Sequence, residues 1–192
     1  MNAYLSIFLK SMLVDNVILI QFLALCPFIG MTTDVGKATG MGIAVTFVMV
    51  LATAVTWPLY TYLLAPMGLQ FLETLIFILV IAALVQLVEF YLKKCAPALY
   101  SSMGVYLALI TTNCAILAVT LNSISKNYNF LESIVYALGT AAGFLMSMTL
   151  MSGIRERIKS APVPECVKGT PILFISASLL SMAFSGFAGL IK

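Results

Sequence analysis

The chain has 192 residues, of which 62% are hydrophobic and 9% charged, with a mean hydropathy of +1.10. That composition excludes a soluble globular domain and specifies an integral membrane protein. The net charge of +3 arises from loop lysines and arginines with no basic run interleaved with aromatics, so it bears on topology and carries no nucleic-acid role.

At roughly 20 residues per spanning helix, six spans fill the chain and leave no room for a soluble domain. The N-terminal apolar run lacks a basic n-region and a small-residue cleavage site, so it is expected to remain as a helix. This first span, about Ala3 to Phe28, is long for a straight crossing. Asp15 and Asn16 fall near its middle and Pro27 near its end, which predicts a helix interrupted within the membrane.

A polar link from Thr32 to Lys37 leads to a second span from about Gly40 to Tyr60, closed by an interfacial belt of Trp57, Tyr60 and Tyr62. The glycines of GKATGMG, Gly36 to Gly42, fit no nucleotide-binding pattern and are expected to permit close helix packing. A loop through Pro66 to Gln70 precedes a third span from about Phe71 to Leu92, with Glu73 at the outer interface. Glu89 lies four residues before Lys93, the favourable spacing for a helix ion pair. The fourth span, about Met103 to Leu121, contains Asn113 and Cys114. The fifth runs from Phe130 to Ile154, a basic loop from Arg155 to Thr170, and the sixth from Pro171 to Ile191.

The first, third and fifth loops hold Lys37, Lys93, Lys94, Arg155, Arg157, Lys159 and Lys168, against Lys126 and Lys192 on the other side. The positive-inside rule then places both termini outside. Six spans divide into two groups of three, 1–97 and 98–192, and an odd group size makes the second group inverted. A shift of about 97 residues aligns Asn16 with Asn113, Gly42 with Gly139, Ala44 with Ala141 and Phe47 with Phe144. The expected fold is an all-α polytopic membrane protein of two inverted three-helix repeats whose first and fourth helices are interrupted.

An interrupted helix in lipid leaves backbone groups in need of partners, and asparagine supplies both a donor and an acceptor. Asn16 and Asn113 therefore either bond between helices or support an embedded site. Of the four cysteines, Cys95 and Cys166 fall on the basic side, where thiols stay reduced. Cys26 and Cys114 fall in the two interrupted stretches, as small apolar residues or as ligands. With no histidine in the chain, the usual haem ligand and histidine zinc sites are absent, and any metal would rest mainly on thiolates, which favour soft iron or iron–sulfur centres. A [2Fe-2S] cluster needs four ligands, so a second chain would supply two.

Asp15 is a candidate ion-sensitive group. Its other reading is structural pairing with Lys10 or with a neighbouring chain. An inverted repeat with broken helices also suits a secondary transporter. Cys26 and Cys114 are not equivalent under the repeat, because Cys26 lies ten residues after Asn16 and Cys114 one after Asn113. An unbroken helix would carry Cys26 about 15 Å beyond Asn16, so a shared site requires an interruption between Asp15 and Pro27.

The runs LVDNVILIQFLALCPFIGMTTD, FILVIAALVQLVEF, LITTNCAIL, GIRERI and SMAFSGFAGLIK together resemble the RnfA family. RnfA is a membrane component of the Rnf ion-translocating ferredoxin:NAD oxidoreductase complex, and its family is similar to NqrE of the Na+-translocating NADH:quinone reductase. Cys26-Pro27 and Thr112-Asn113-Cys114 favour the Rnf member.

The resemblance implies a redox-driven ion translocase with no complete active site on this chain. It implies a multi-pass protein of the bacterial cell membrane, beside an RnfE-like homologue of opposite topology and the RnfB, RnfC, RnfD and RnfG components. It further implies a [2Fe-2S] cluster shared with that homologue, with Cys26 and Cys114 as this chain's iron ligands, and electron flow coupled to Na+ or H+ movement. No flavin, NAD or haem is expected on this chain.

Overall fold

The computed structural model describes residues 3–67, 70–95, 107–164 and 167–186, and all of its regular structure among these residues is helical. Expectations for the Cys95 thiol, Cys166, the Lys93 side chain, Lys192, the repeat boundary at residue 97 and the span ends at Met103 and Ile191 lie outside the described residues. The helices are α1 (Ala3–Leu9), α2 (Leu25–Met31), α3 (Val35–Leu59), α4 (Glu73–Cys95), α5 (Leu107–Thr111), α6 (Cys114–Ser125), α7 (Phe130–Lys159) and α8 (Thr170–Ser185). Three segments are long and apolar enough to cross a membrane, Val35–Leu64, Glu73–Phe90 and Phe130–Lys159; Tyr4–Val14, Leu109–Ser125 and Thr170–Ser185 are shorter apolar helices.

The organising element is α7, nucleated by a capping box in which Asn129 N–H donates to the Glu132 carboxylate at 2.9 Å. Its 30 residues make it about 45 Å long, more than the ~30 Å hydrocarbon thickness. The helix therefore continues through Arg155, Arg157 and Lys159, where the sequence predicts a loop. Those cations complement the partial negative charge at a helix C-terminus, and long cationic side chains reach polar surroundings from the end of a span.

Helix α3 packs along α7 more extensively than any other pair. Gly42 faces Leu145 while Trp57 stacks edge-on against Phe130 at 5.4 Å, so the two helices run antiparallel. The structure starts α3 at Val35 rather than Gly40, with Lys37 paired to Asp34 at 2.8 Å across one turn. Pro58 has no N–H for the helical ladder, and α3 loosens just beyond it into a π turn over Tyr60–Leu64. A short helical turn, Ala65–Met67, follows where a loop was expected. Of the expected belt, Trp57 donates to the Tyr128 carbonyl at 2.9 Å and Tyr60 packs edge-on to Phe77, whereas Tyr62 is exposed.

Close packing is found at different glycines from those expected. Among the residues of GKATGMG only Gly42 has a neighbour near its missing Cβ; Gly36 and Gly40 have none within 4 Å. The tight seam lies on α7 at Gly139 and Gly143, a G-x-x-x-G pair. Phe8 and Ser11 of the first segment rest on Gly139, and Met12 and Asn16 rest on Gly143. Farther along α7, Arg155 reaches Ile29, so the first segment runs parallel to α7 over about 24 Å.

Three buried threonines satisfy their hydroxyls within their own helices. Thr53 donates to Met49 O at 2.9 Å, Thr56 to Ala52 O at 2.8 Å and Thr140 to Tyr136 O at 2.9 Å. Outward-facing side chains of α4 and α8, such as Leu75, Leu79, Leu87, Leu179 and Met182, are exposed and apolar, as a lipid-facing surface demands.

Candidate metal centre at two interrupted helices

The first helical segment ends as the sequence requires. Helix α1 passes into a π turn, Lys10–Val14, closed by Asp15 N–H donating to Lys10 O at 2.8 Å, and regular structure resumes only at Leu25. The chain thus leaves the helix between Asp15 and Ala24, inside the interval predicted from the cysteine spacing. Phe22 and Ala24 take left-handed backbone conformations, with φ of 53° and 61°. Such residues cost about 1–2 kcal/mol each and persist where surrounding contacts fix them.

Asn16 fixes this break. Its Oδ1 accepts from the N–H groups of Ile18 at 3.1 Å and Leu19 at 3.3 Å. Its Nδ2 donates to Gly143 O at 3.1 Å, Ser147 Oγ at 3.0 Å and Met12 O at 3.4 Å. The side chain replaces part of the missing helical ladder and bolts the break to the glycine seam of α7.

The second break is shorter. Helix α5 ends at Thr111, and Asn113 caps α6 by accepting from Ala115 N–H at 3.0 Å. The two asparagines that a 97-residue shift of the sequence aligns therefore do the same backbone work, each accepting from the N–H two residues on. They differ in their amide donors, since the buried Nδ2 of Asn113 has no partner among the described residues.

These breaks bring the two cysteine stretches together. Ala24 N–H donates to Cys114 Sγ at 2.9 Å, placing the Cys114 sulfur two residues from Cys26 in the chain. Both cysteines lie in the first turn of the helix that resumes after a break, and Pro27 occupies that first turn of α2, where a proline is tolerated. Cys26 is exposed and Cys114 half-buried; both thiols are free. Among the described residues no group of three or more metal-ligating side chains occurs.

Asp15 has a different partner within the chain from the one expected. Its carboxylate pairs at 3.0 Å with Lys126, 111 residues away, rather than with Lys10. Lys126 follows α6, which ends with Asn127 in the left-handed conformation at φ 52°. The Lys126 ammonium also lies 4.8 Å from the Tyr136 ring centre. Helix α6 accordingly starts beside Ala24 and ends beside Asp15, antiparallel to the first segment. Asp15 borders a cavity of about 280 Å³ lined also by Ser6, Ile7, Lys10, Ser11, Tyr128 and Tyr136.

Burial works against the Lys126 charge, but the Asp15 hydrogen bond and the electrostatic attraction of Tyr136, Asp15 and Tyr128 outweigh it and hold its pKa above the usual lysine value. A raised lysine pKa contributes stability that is complete below the unfolded value and lost only as pH climbs through the folded one, so the pair persists across neutral pH. With both side chains about a third exposed, Lys126→Met is expected to lower stability by only about 1 kcal/mol, and adding Asp15→Asn to recover part of it; thermal unfolding of the four variants in detergent measures the coupling.

At the far end of the first segment, Arg155 donates to Ile29 O at 2.7 Å and Thr32 Oγ1 at 3.2 Å, and Lys159 donates to Thr33 O at 3.2 Å. Helix α7 thus holds the broken segment at both ends, through the glycine seam and through these cations. The sequence singles out Asn16, Asn113, Cys26 and Cys114 but gives no sign of Ala24, Ser147 or Lys126. Of the features around the site that went unpredicted, only the α7 glycine pair carries a readable signal.

The family described as Rnf-Nqr subunit, membrane protein, matches residues 4–191. The chain is 49% identical over 191 residues to the A subunit of the ion-translocating oxidoreductase complex of Syntrophotalea carbinolica, covering 100% of this chain and 99% of the relative. It is 50% identical over 192 residues to the protein of the same description from Hahella chejuensis, with 100% of both chains covered. It is 48% identical over 184 residues to the A subunit of the Na(+)-translocating ferredoxin:NAD(+) oxidoreductase complex of Acetobacterium woodii, covering 96% of each. With apolar spanning helices and a family match along nearly its whole length, the chain is a multi-pass membrane protein and belongs to the Rnf-Nqr subunit family.

Proposed function

We propose that this chain is the A subunit of an ion-translocating ferredoxin:NAD oxidoreductase complex, and that with an RnfE-like partner of opposite topology it holds a [2Fe-2S] centre within the membrane. The observation that carries this reading is the Ala24 N–H donated to Cys114 Sγ, which joins the two cysteine-bearing breaks. The names borne by the full-length relatives support the Rnf assignment over the quinone reductase.

The residues fit such a centre. The Cys114 sulfur lies against the backbone two residues before Cys26, so two soft sulfur donors belong to one neighbourhood; Cys26 is exposed where a partner chain can supply the remaining two ligands, and a buried amide N–H beside Cys114 has no acceptor among the described residues. When bound, the centre supplies a one-electron carrier at the depth of the breaks. This chain's own residues would hold it and set its surroundings. The Ala24 N–H and the N-terminus of α6 set a hydrogen-bond donor and a partial positive charge beside the Cys114 sulfur. Asn16 keeps the first break in register against α7.

Negative charge delivered to these thiolates in a low-dielectric setting favours an accompanying cation, which gives a route for coupling to Na+ or H+. Asp15 enters that coupling as a carboxylate whose resident cation is Lys126. The directions of the helices support two inverted three-helix repeats: the first segment and α7 run one way, α3 and α6 the other. The basic end of α7 would face the cytoplasm, with both termini outside.

The complex purified with its partner is expected to contain iron and a visible absorption band that bleaches on reduction. Cys26→Ser and Cys114→Ser should each remove most of both while the protein still inserts. An iron-free, colourless complex active in solute uptake would overturn the proposal in favour of a transporter.

A further inference from the structure

Asn16 and Asn113 perform one backbone task at two breaks, yet only one of them spends its amide donors. Asn16 Nδ2 meets Gly143 O, Ser147 Oγ and Met12 O. Asn113 is 5% exposed, and its Nδ2 is buried with no acceptor among the described residues. The orientation of the Asn113 amide is fixed, because turning it over would set one N–H against the Ala115 N–H that its Oδ1 now accepts.

A buried donor left unpaired is costly, and the cost is removed where something outside the chain supplies the acceptor. Helix capping does not require the amide either, since serine, threonine or aspartate caps a helix with an oxygen alone. The choice of asparagine thus leaves a spare N–H on the residue bonded directly to the one that carries a candidate ligand sulfur, and that sulfur already accepts Ala24 N–H. Resting on the proposed function, we infer that the Asn113 amide donates a hydrogen bond to a sulfur of the centre held by Cys26 and Cys114, and so raises its reduction potential. Hydrogen bonds to sulfur stabilise the more negative, reduced form more than the oxidised form. Asn113 is in this sense a positioning and tuning residue.

The test is a redox titration, followed by electron paramagnetic resonance, of the complex purified with its partner and carrying Asn113→Asp or Asn113→Gly. Aspartate keeps the capping oxygen and removes the donor; glycine removes the donor at a small capping cost. Both variants are expected to keep their iron and to titrate at a more negative midpoint, the oxidised-to-reduced ratio at fixed potential rising about tenfold, or ~59 mV for a one-electron couple. Iron retained with an unmoved midpoint overturns the inference. In the wild-type complex labelled with 15N in the asparagine side-chain amide, the reduced centre should show hyperfine coupling to that nitrogen. Its absence overturns the inference whatever the variants do. A wild-type complex without iron would instead refute the proposed function on which the inference rests.

Discussion

Asn16→Leu is expected to collapse the first break, lowering stability by on the order of 3 kcal/mol and removing the proposed metal site with it. Leucine matches asparagine roughly in length but offers nothing to the Ile18 and Leu19 N–H groups, which lie in a buried turn and have no other acceptor among the described residues. It also removes the tie to Ser147 and Gly143 on α7. The turn that brings Ala24 onto Cys114 would then lose its anchor, so thermal unfolding and iron content should fall together. Asn16→Asp separates the two halves of the task, since it keeps the acceptor for Ile18 and Leu19 but loses the donors. Should Asn16→Leu retain full stability and iron, the break is held by packing alone.

The second large effect is at the glycine seam. A methyl group at Gly139 would overlap the Ser11 hydroxyl and lie 2.8 Å from the Phe8 carbonyl oxygen; one at Gly143 would lie 2.8 Å from Met12 O and 3.1 Å from Asn16 Nδ2. The obstructing atoms are mostly backbone, which cannot swing aside as a side-chain tip can. Each glycine-to-alanine change is therefore expected to cost about 1–3 kcal/mol through forced separation of the first segment from α7, with Gly143→Ala also disturbing Asn16. Gly36→Ala and Gly40→Ala are the controls. Neither glycine has a close neighbour, so both changes should be neutral or slightly stabilising in the same unfolding assay.

How much of this was legible follows from what each signal depends on. The break in the first segment was readable because Asp15, Asn16 and Pro27 are costly in lipid and because Cys26 needed to turn back to meet Cys114. The alignment of Asn16 with Asn113 was readable as identity, and in the structure each side chain accepts from the N–H two residues on, Asn16 in a turn and Asn113 at a helix start. Their unequal spacing to the cysteines is resolved by breaks of different length, since the chain is irregular from Asp15 to Ala24 but only at Thr112 and Asn113 in the fourth segment.

The partner of Asp15 was not legible, because a residue 111 positions away leaves no local pattern. The left-handed Phe22 and Ala24 were equally hidden, as neither is a residue that favours that conformation. Nor did composition announce the π turns at Lys10–Val14 and Tyr60–Leu64. The end of α7 was misplaced for a different reason: basic residues mark a membrane boundary, whereas the helix itself continues past it to Lys159. The glycine seam could have been found, since G-x-x-x-G is explicit at Gly139 and Gly143, but the denser glycines of Gly36 to Gly42 drew the expectation instead.

The central claim is that Cys26 and Cys114, joined across the two breaks, supply this chain's half of an iron–sulfur centre. The most direct test is the Mössbauer spectrum of the 57Fe-enriched complex, oxidised and then reduced, for wild type and for Cys114→Ser. The wild type is expected to give a diamagnetic ferric pair that becomes a localised ferrous–ferric pair on one-electron reduction, and the variant to lack both. A variant spectrum identical to wild type would contradict the claim.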